Sequence, residues 1–495
     1  MNLMILELAV VVLGLGILLG DLWTAAHQKH LLGYAAAALL GVILLASFFG
    51  LEQVGSGPAY AFNNMLVLDG LAVFFKRFFL IAAILVLLMS VEFSNRIQSG
   101  ISEFYCLILF ALTGMMFAAS ANDFIMVFVA LELISVTFYV LNSFQRNRLA
   151  SLEAGIKYLI LSALSAAFLV FGIALVFGTT TFTNFADIQR ALVANPALAG
   201  NGLFLLGVLM IIVGLGFKIA AFPFQIWAPD VYQGSPTPST AFLAVGSKAA
   251  GIVLLLRVLF VAVPAVTQHW SKLLIIISAI TILYGNLCAI PQRNLKRLLG
   301  YSSISNAGYL LLGFAALSQA GKAAILYYLA GYLFTVVAAF TVICLVTRDR
   351  DSDDITVLAG LHRRSPLLAM ALTMAMVSLA GIPPLAGFFG KFLLLKAVVE
   401  QGATNSAYYW LVGITVFGVV ISLYYYFGVI RAIYWSKDVT DFSPITVSWP
   451  AKLSLVVCMA AILYLGLLPG KPLKLSEDSA LALTTPVSGS KQLFH

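Results

Sequence analysis

Three lysines and a glutamate stand where a chain of this composition can least accommodate charge. Lys218 and Lys248 lie in the stretch GLGFKIAAFPFQIWAPDVYQGSPTPSTAFLAVGSKAAG, each inside an apolar run long enough to be a membrane helix. Lys391 lies inside a third such run, and Glu132 sits near the middle of a fourth, NDFIMVFVALELISVTFYVL. A charge at the centre of a bilayer span costs about 2.5 to 3.5 kcal/mol on insertion scales, so such groups face protein or water and mark an ion path. Burial favours the neutral form of a carboxyl and of an amine, whereas an opposite charge nearby favours the ionised form of both. A Glu and a Lys that approach and separate therefore form a proton switch that titrates as one unit. A static ion pair that fixes helix packing is the alternative, and the residue types leave both open. Lys157, in SLEAGIKYLILSALSAAF, belongs either to the same proton-transfer set or to the interface, where its long stem would let it snorkel. Glu7, Lys76, Arg77 and Arg257 also fall in or beside apolar runs and read as edge charges or contacts with neighbouring subunits.

The elements that must position these groups follow from bilayer thickness. A helix needs about 20 apolar residues to cross, and fourteen runs qualify: 2–21, 31–50, 69–92, 104–120, 123–143, 154–178, 202–227, 239–263, 271–290, 300–318, 323–347, 366–399, 405–434 and 451–469. Pro223 lacks a backbone N–H and its ring crowds the preceding turn, so the seventh run is expected to break just after Lys218. The twelfth run is too long for one upright pass, and Gly381, Pro383, Pro384, Gly387 and Gly390 predict a second break just before Lys391. Lysine precedes the break in the seventh run and follows it in the twelfth, and the two cross in opposite directions, as an inverted repeat would have it. The tenth run holds no carboxylate to match Glu132. The loop FADIQRALVANPA, 185–197, reads either as a helix lying along the outer surface or as an ordinary connector.

Composition bounds the rest. The 495 residues are 62% hydrophobic and 10% charged, and the mean hydropathy of +1.02 fits an all-α polytopic membrane protein, with no loop long enough for a soluble catalytic domain. The net charge of +8 reads as basic loops on the cytoplasmic side rather than as nucleic-acid binding. With the N-terminus outside, the cytoplasmic loops hold twelve basic residues: Lys29, Arg96, Arg146, Arg148, Arg293, Lys296, Arg297, Arg348, Arg350, Arg363, Arg364 and Lys437. The opposite loops hold three, Arg190, Lys272 and Lys322, and an even helix count then puts both termini outside. The first run lacks a basic leader and reads as a retained helix. No cysteine spacing suggests a disulfide or a metal, the five histidines fall in loops or at the terminus, and no cofactor-binding motif is present. Any redox chemistry must belong to a partner. Tyr424, Tyr425 and Tyr426 read as lipid contact or packing.

Four longer motifs carry a resemblance. SLEAGIKYLILSA, GFKIAAFPFQIWAPDVYQGSPTP, GNLCAIPQRNLKRLLGYSSISNAGYLLLG and SLAGIPPLAGFFGKF together resemble the antiporter-like membrane subunits of the proton-pumping NADH-quinone oxidoreductase, respiratory complex I, and are most similar to the subunit N family. The resemblance implies fourteen transmembrane helices with two inverted five-helix repeats, broken helices seven and twelve, and a row of buried charges. It divides the chain into a three-helix segment at 1–103, repeats at 104–263 and 264–434, and a last helix with a tail at 435–495. It carries proton-transfer roles to Glu132 in LELIS, Lys157 in GIKY, Lys218 in GFK, Lys248 in SKAA and Lys391 in GKF. It also implies FMN, iron–sulfur clusters and quinone in partner subunits, other membrane-arm subunits as neighbours, and a bacterial inner membrane with both termini periplasmic. Gln225 and Asn306 stand where the family commonly has histidine, so a path needing those rings must run through water or hydrogen-bonding side chains. A subunit of a multisubunit cation/proton antiporter is the alternative function.

Overall fold

The computed structural model describes residues 2–49, 57–350, 352–403, 405–436 and 443–483. Lys437 and the tail with His495 lie outside the described residues. Among the described residues the regular elements are helices apart from one hairpin, β1 (Ala59–Ala61) against β2 (Leu66–Leu68), with Ala59 opposite Leu68. The helices of the first half are α1 (Ile5–Asp21), α2 (His30–Ala46), α3 (Gly70–Phe93), α4 (Ile101–Ser120), α5 (Phe124–Asn142), α6 (Leu149–Thr180), α7 (Phe185–Ala194), α8 (Gly202–Ile219), α9 (Trp227–Gly234), α10 (Thr237–Phe242) and α11 (Lys248–Arg257). There follow α12 (Pro264–Thr267), α13 (Ser271–Ala289), α14 (Leu295–Ala315), α15 (Gln319–Val346), α16 (Leu361–Arg364), α17 (Pro366–Ala380), α18 (Ala386–Gln401), α19 (Ala407–Trp435), α20 (Trp449–Leu467) and α21 (Gly470–Leu481).

Among the described residues ten helices are long and apolar enough to cross a membrane, and each of the fourteen expected runs is occupied by helix. The most hydrophobic window is 89% buried in Gln319–Val346 and in Thr237–Ala262, but only 28% buried in Leu149–Thr180. The α10–α11 rod and α15 are therefore the centre of the bundle, and α6 is a wall that lipid or a neighbour covers. The loop at 185–197 forms α7, with Phe185, Ile188 and Leu192 buried. Sequence reading missed α21, which packs on α3 and α15, because GKPLKLSEDSAL is too polar to register as a bilayer run.

Both expected breaks are present and share one construction. The helix α8 ends at Ala220, whose φ is +59, and α17 ends at Gly381, whose φ is +83. In each the next amide reaches back five residues: Ala221 N–H donates to the Gly216 carbonyl at 2.9 Å and Ile382 N–H to the Val377 carbonyl at 3.2 Å. This left-handed closure satisfies carbonyls that the missing turn would have used. The Phe222–Pro223 and Pro383–Pro384 peptide bonds are cis. Gly387 allows α18 to leave the second break against α17, since a Cβ there would meet the Ser378 carbonyl.

A second correspondence links the halves. Asp123 caps α5 and pairs, as an isolated antiparallel bridge, with Asn184, which caps α7. Asn294 caps α14 and pairs in the same way with Asp354, which caps the turn Ile355–Leu358.

Candidate functional site

Lys218 stands in the last turn of α8, two residues before the left-handed Ala220, and is 5% exposed. Its Nζ donates to Ser135 Oγ at 2.7 Å and to Ser162 Oγ at 2.8 Å, and lies 5.5 Å from the ring centres of Tyr158 and Phe217. Trp227, the first residue past the break, donates from Nε1 to the Phe217 carbonyl at 3.0 Å, tying the two half-helices together. Glu132 makes no ion pair among the described residues. It is half-buried on α5, one turn before Ser135, on a face shared with the exposed Val129 and Val136. A serine hydroxyl, rather than direct contact, stands between the Glu132 turn and the amine.

Lys248 follows a π-helical turn, Leu243–Ser247, that widens the central rod. Such bulges re-aim a side chain without ending the helix. Its Nζ donates to the Ser303 carbonyl at 2.5 Å and to Ser303 Oγ, and it lies 5.4 Å from the Tyr332 ring centre. The same hydroxyl meets Tyr332 and Tyr232, each at 3.1 Å. Lys391 extends from α18 back to α17, where its Nζ donates to the Leu379 carbonyl at 2.6 Å and approaches that of Ala380 at 3.5 Å. Those are the last carbonyls of a helix, which carry its partial negative charge. The amine also sits 4.6 Å from the Tyr309 ring centre.

Between Lys248 and Lys391 runs a buried polar band that sequence reading missed. Tyr328 donates to Asn306 Oδ1; Asn306 Nδ2 donates to the Ser302 carbonyl at 2.8 Å; Ser302 Oγ meets Tyr426 at 2.5 Å. Tyr425 donates to Asn286 Oδ1 at 2.9 Å, and Asn286 Nδ2 donates to the Tyr309 hydroxyl at 3.1 Å. Tyr425 and Tyr426 are thus not lipid contacts, whereas Tyr424 is 71% exposed and fits that reading. A signal was available in GYSSISNAGY: Ser302, Asn306 and Tyr309 recur at the spacing of one helix face. Asn306 is fully buried within the band, and Gln225, buried in the first break, has a side-chain oxygen without a partner among the described residues.

Residues 121–422, which include every group just described except Tyr424, Tyr425 and Tyr426 of α19, match the family described as NADH:quinone oxidoreductase/Mrp antiporter, TM. The NADH-quinone oxidoreductase subunit N of Trichlorobacter lovleyi is 41% identical over 97% of this chain and 96% of its own. The chain belongs to the NADH-quinone oxidoreductase subunit N family. A chain of respiratory complex I from Thermus thermophilus superposes with a TM-score of 0.78 at 32% identity, over 96% of this chain and all of that one. A chain of the Mrp complex from Dietzia gives 0.81 at 23% identity over 97% of this chain and 52% of that one, a likeness of fold alone.

The remaining charges of this family member lie apart from the three lysines. Lys157 is 41% exposed and pairs with Glu153 at 2.7 Å and Asp230 at 2.6 Å, at the end of the bundle where Arg297 also meets Asp230. Glu7, Lys76 and Arg257 are neither edge charges nor open to neighbours, whereas Arg77 is half-buried and lines an open apolar cleft. Lys76 and Glu7 pair at 2.8 Å, both wholly buried. Arg257 grips Asp69 with two bonds of 3.0 and 2.9 Å and donates to the Ala119 carbonyl at 2.8 Å. Arg77 donates to the Ser47 carbonyl at 2.6 Å and lies 4.0 Å from the Phe48 ring centre. Lys322, expected in an outer loop, is buried in the first turn of α15, 4.5 Å from the Phe260 ring centre.

Proposed function

We propose that this chain translocates protons in the membrane arm of an NADH-quinone oxidoreductase, with Lys218, Lys248 and Lys391 as its proton-carrying groups. One observation carries the reading: three buried amines, each at an interrupted helix, are hydrogen-bonded to hydroxyl and carbonyl oxygens rather than to carboxylates. An unpaired buried cation is a poor device for stability, since a well-packed apolar residue would cost less. It is a good device for carriage. A neutral amine still donates to the same oxygens, and losing the proton strands no opposite charge.

NADH oxidation and quinone reduction belong to partner subunits, which hold the FMN, iron–sulfur clusters and quinone. The energy reaches this chain as a change of charge along the buried row. Moving one charge against 100 mV takes about 2.3 kcal/mol. The half-buried position of Glu132 on an outward face of α5 supports a role in passing that change to or from an adjacent subunit. Lys157, ion-paired at a bundle end, would exchange protons with water at the cytoplasmic mouth. The two matching breaks and the two matching bridges support the inverted repeats at 104–263 and 264–434 and fourteen crossings in all. The basic loops support a bacterial inner membrane with both termini periplasmic.

The test is NADH-driven proton uptake into vesicles bearing the assembled enzyme. Lys218→Met, Lys248→Met and Lys391→Met should each assemble yet lower pumping by roughly 100-fold, the scale of losing a positioned proton-transfer group. Normal coupled pumping in Lys218→Ala or Glu132→Ala overturns the assignment. Purification without FMN and iron–sulfur subunits would favour the antiporter reading instead.

A further inference from the structure

At one end of the bundle the loop joining α3 to α4 (94–100) meets the loop joining α5 to α6 (143–148), and between them opens a polar cleft of 630 Å³. Arg96, Arg146 and Arg148 line it, against a single carboxylate, Glu103. The guanidinium of Arg96 is engaged with the Arg350 carbonyl at 2.5 Å. Arg146 and Arg148 make no ion pair among the described residues, so two guanidinium groups, each able to hold two phosphate oxygens at once, are left for a ligand.

The walls are already fixed. Gln145 Nε2 donates to the Arg96 carbonyl at 3.2 Å, Asn147 donates to Gln98 Oε1, and the Phe104 and Phe144 rings meet edge to face at 5.0 Å. The twenty-residue helix α4 begins inside the same cleft at Gly100, which has a φ of +80 and no side chain to cap the first amides. Such N–H groups, with the dipole behind them, attract an anion. The floor is of opposite character. Leu107 and Val140 line it.

We propose that this cleft seats the phosphodiester headgroup of an anionic phospholipid, whose acyl chains leave it past Leu107 and Val140. Charge selects an anion. The apolar floor selects an amphiphile, because an acidic soluble segment would leave Leu107 and Val140 uncovered. This site is independent of the buried lysines and does not rest on the proposed proton path.

The experiment uses the assembled enzyme in nanodiscs containing photoactivatable phosphatidylglycerol or phosphatidylcholine, with labelled peptides identified by mass spectrometry. The phosphatidylglycerol probe should label the segments 95–107 and 140–148. Arg146→Gln with Arg148→Gln should lower that labelling by roughly tenfold or more, given the attraction each basic residue adds at an anionic surface. Glu103→Gln should raise it. Because that variant acts in the opposite direction, loss of assembly in the arginine variant leaves the proposal falsifiable. Equal labelling by phosphatidylcholine, insensitivity to all three substitutions, or abolition by excess inorganic phosphate overturns it. So does a cross-link from Asn147→Cys to a neighbouring subunit's segment filling the cleft.

Discussion

Arg257 and Lys76 are as deeply buried as Lys218, Lys248 and Lys391, yet the first two grip carboxylates, whereas the last three hydrogen-bond to hydroxyls and carbonyls. The paired cations join α1 to α3 and the end of the central rod, where a second π-helical turn (Val258–Ala262) follows Arg257, to the start of α3. The other three sit at a left-handed closure, a π-helical turn and the end of a half-helix. A carboxylate in contact holds a cation in one state, because removing either charge leaves the other stranded. Neutral oxygens impose no such penalty. Burial alone therefore does not mark a carrier; the identity of the acceptor does.

The largest effect should come from breaking a carboxylate pair. Arg257→Met leaves Asp69 without its two strong bonds, and Asp69→Leu leaves a guanidinium in an apolar site. Each should cost about 3 to 5 kcal/mol, seen as lost assembly on native gels or a lowered Tm of the purified enzyme. The double variant should recover most of that loss, since replacing both members of a buried pair is close to neutral. Lys391→Met in the same assay should resemble the double variant and not the singles. A loss of stability in Lys391→Met as large as in Arg257→Met would erase the distinction.

This contrast was only half legible in the sequence. The bilayer fixes helix length, so apolar runs gave the helices, and Pro223 and the Pro383–Pro384 pair located both breaks. The buried lysines stood out for the same reason. Their acceptors did not, because Ser135, Ser162 and Ser303 are unremarkable polar residues that only packing brings within 3 Å of an amine. Nor could pattern separate Tyr425 and Tyr426 from Tyr424, three consecutive residues pointing around a helix whose buried face is set by its neighbours. Arg257 and Asp69 lie 188 residues apart, and nothing local announces the pair.

Ser303 sharpens the comparison at an intermediate scale. Its hydroxyl serves Lys248, Tyr332 and Tyr232 at once, so Ser303→Ala removes the shared partner of an amine and two phenols. A hydrogen bond to a charged group contributes about 1.5 to 3 kcal/mol, while the main-chain carbonyl of residue 303 still receives Lys248. The expected outcome is normal assembly with coupled pumping lowered several-fold, and Ser303→Thr should restore it where Ser303→Ala does not. Full pumping in Ser303→Ala would mean that Lys248 exchanges protons without the polar band.

The smallest effects should separate the two breaks from each other. Ala220 and Gly381 occupy the same left-handed position, but only one of them is the residue that adopts it freely. A left-handed φ costs a residue with a side chain about 1 to 2 kcal/mol. Ala220→Gly removes that strain, adds freedom to the unfolded chain and should change stability by less than about 1 kcal/mol, with pumping intact. Gly381→Ala adds the strain, and its new Cβ would stand 3.0 Å from Lys391 Cδ, pushing the amine off the Leu379 carbonyl. Its cost should fall on pumping more than on Tm, because the lysine arm yields before the helix does. If Ala220→Gly proves the more harmful of the two, the strain at the first break is itself used in setting Lys218, and the two interruptions are not interchangeable frames.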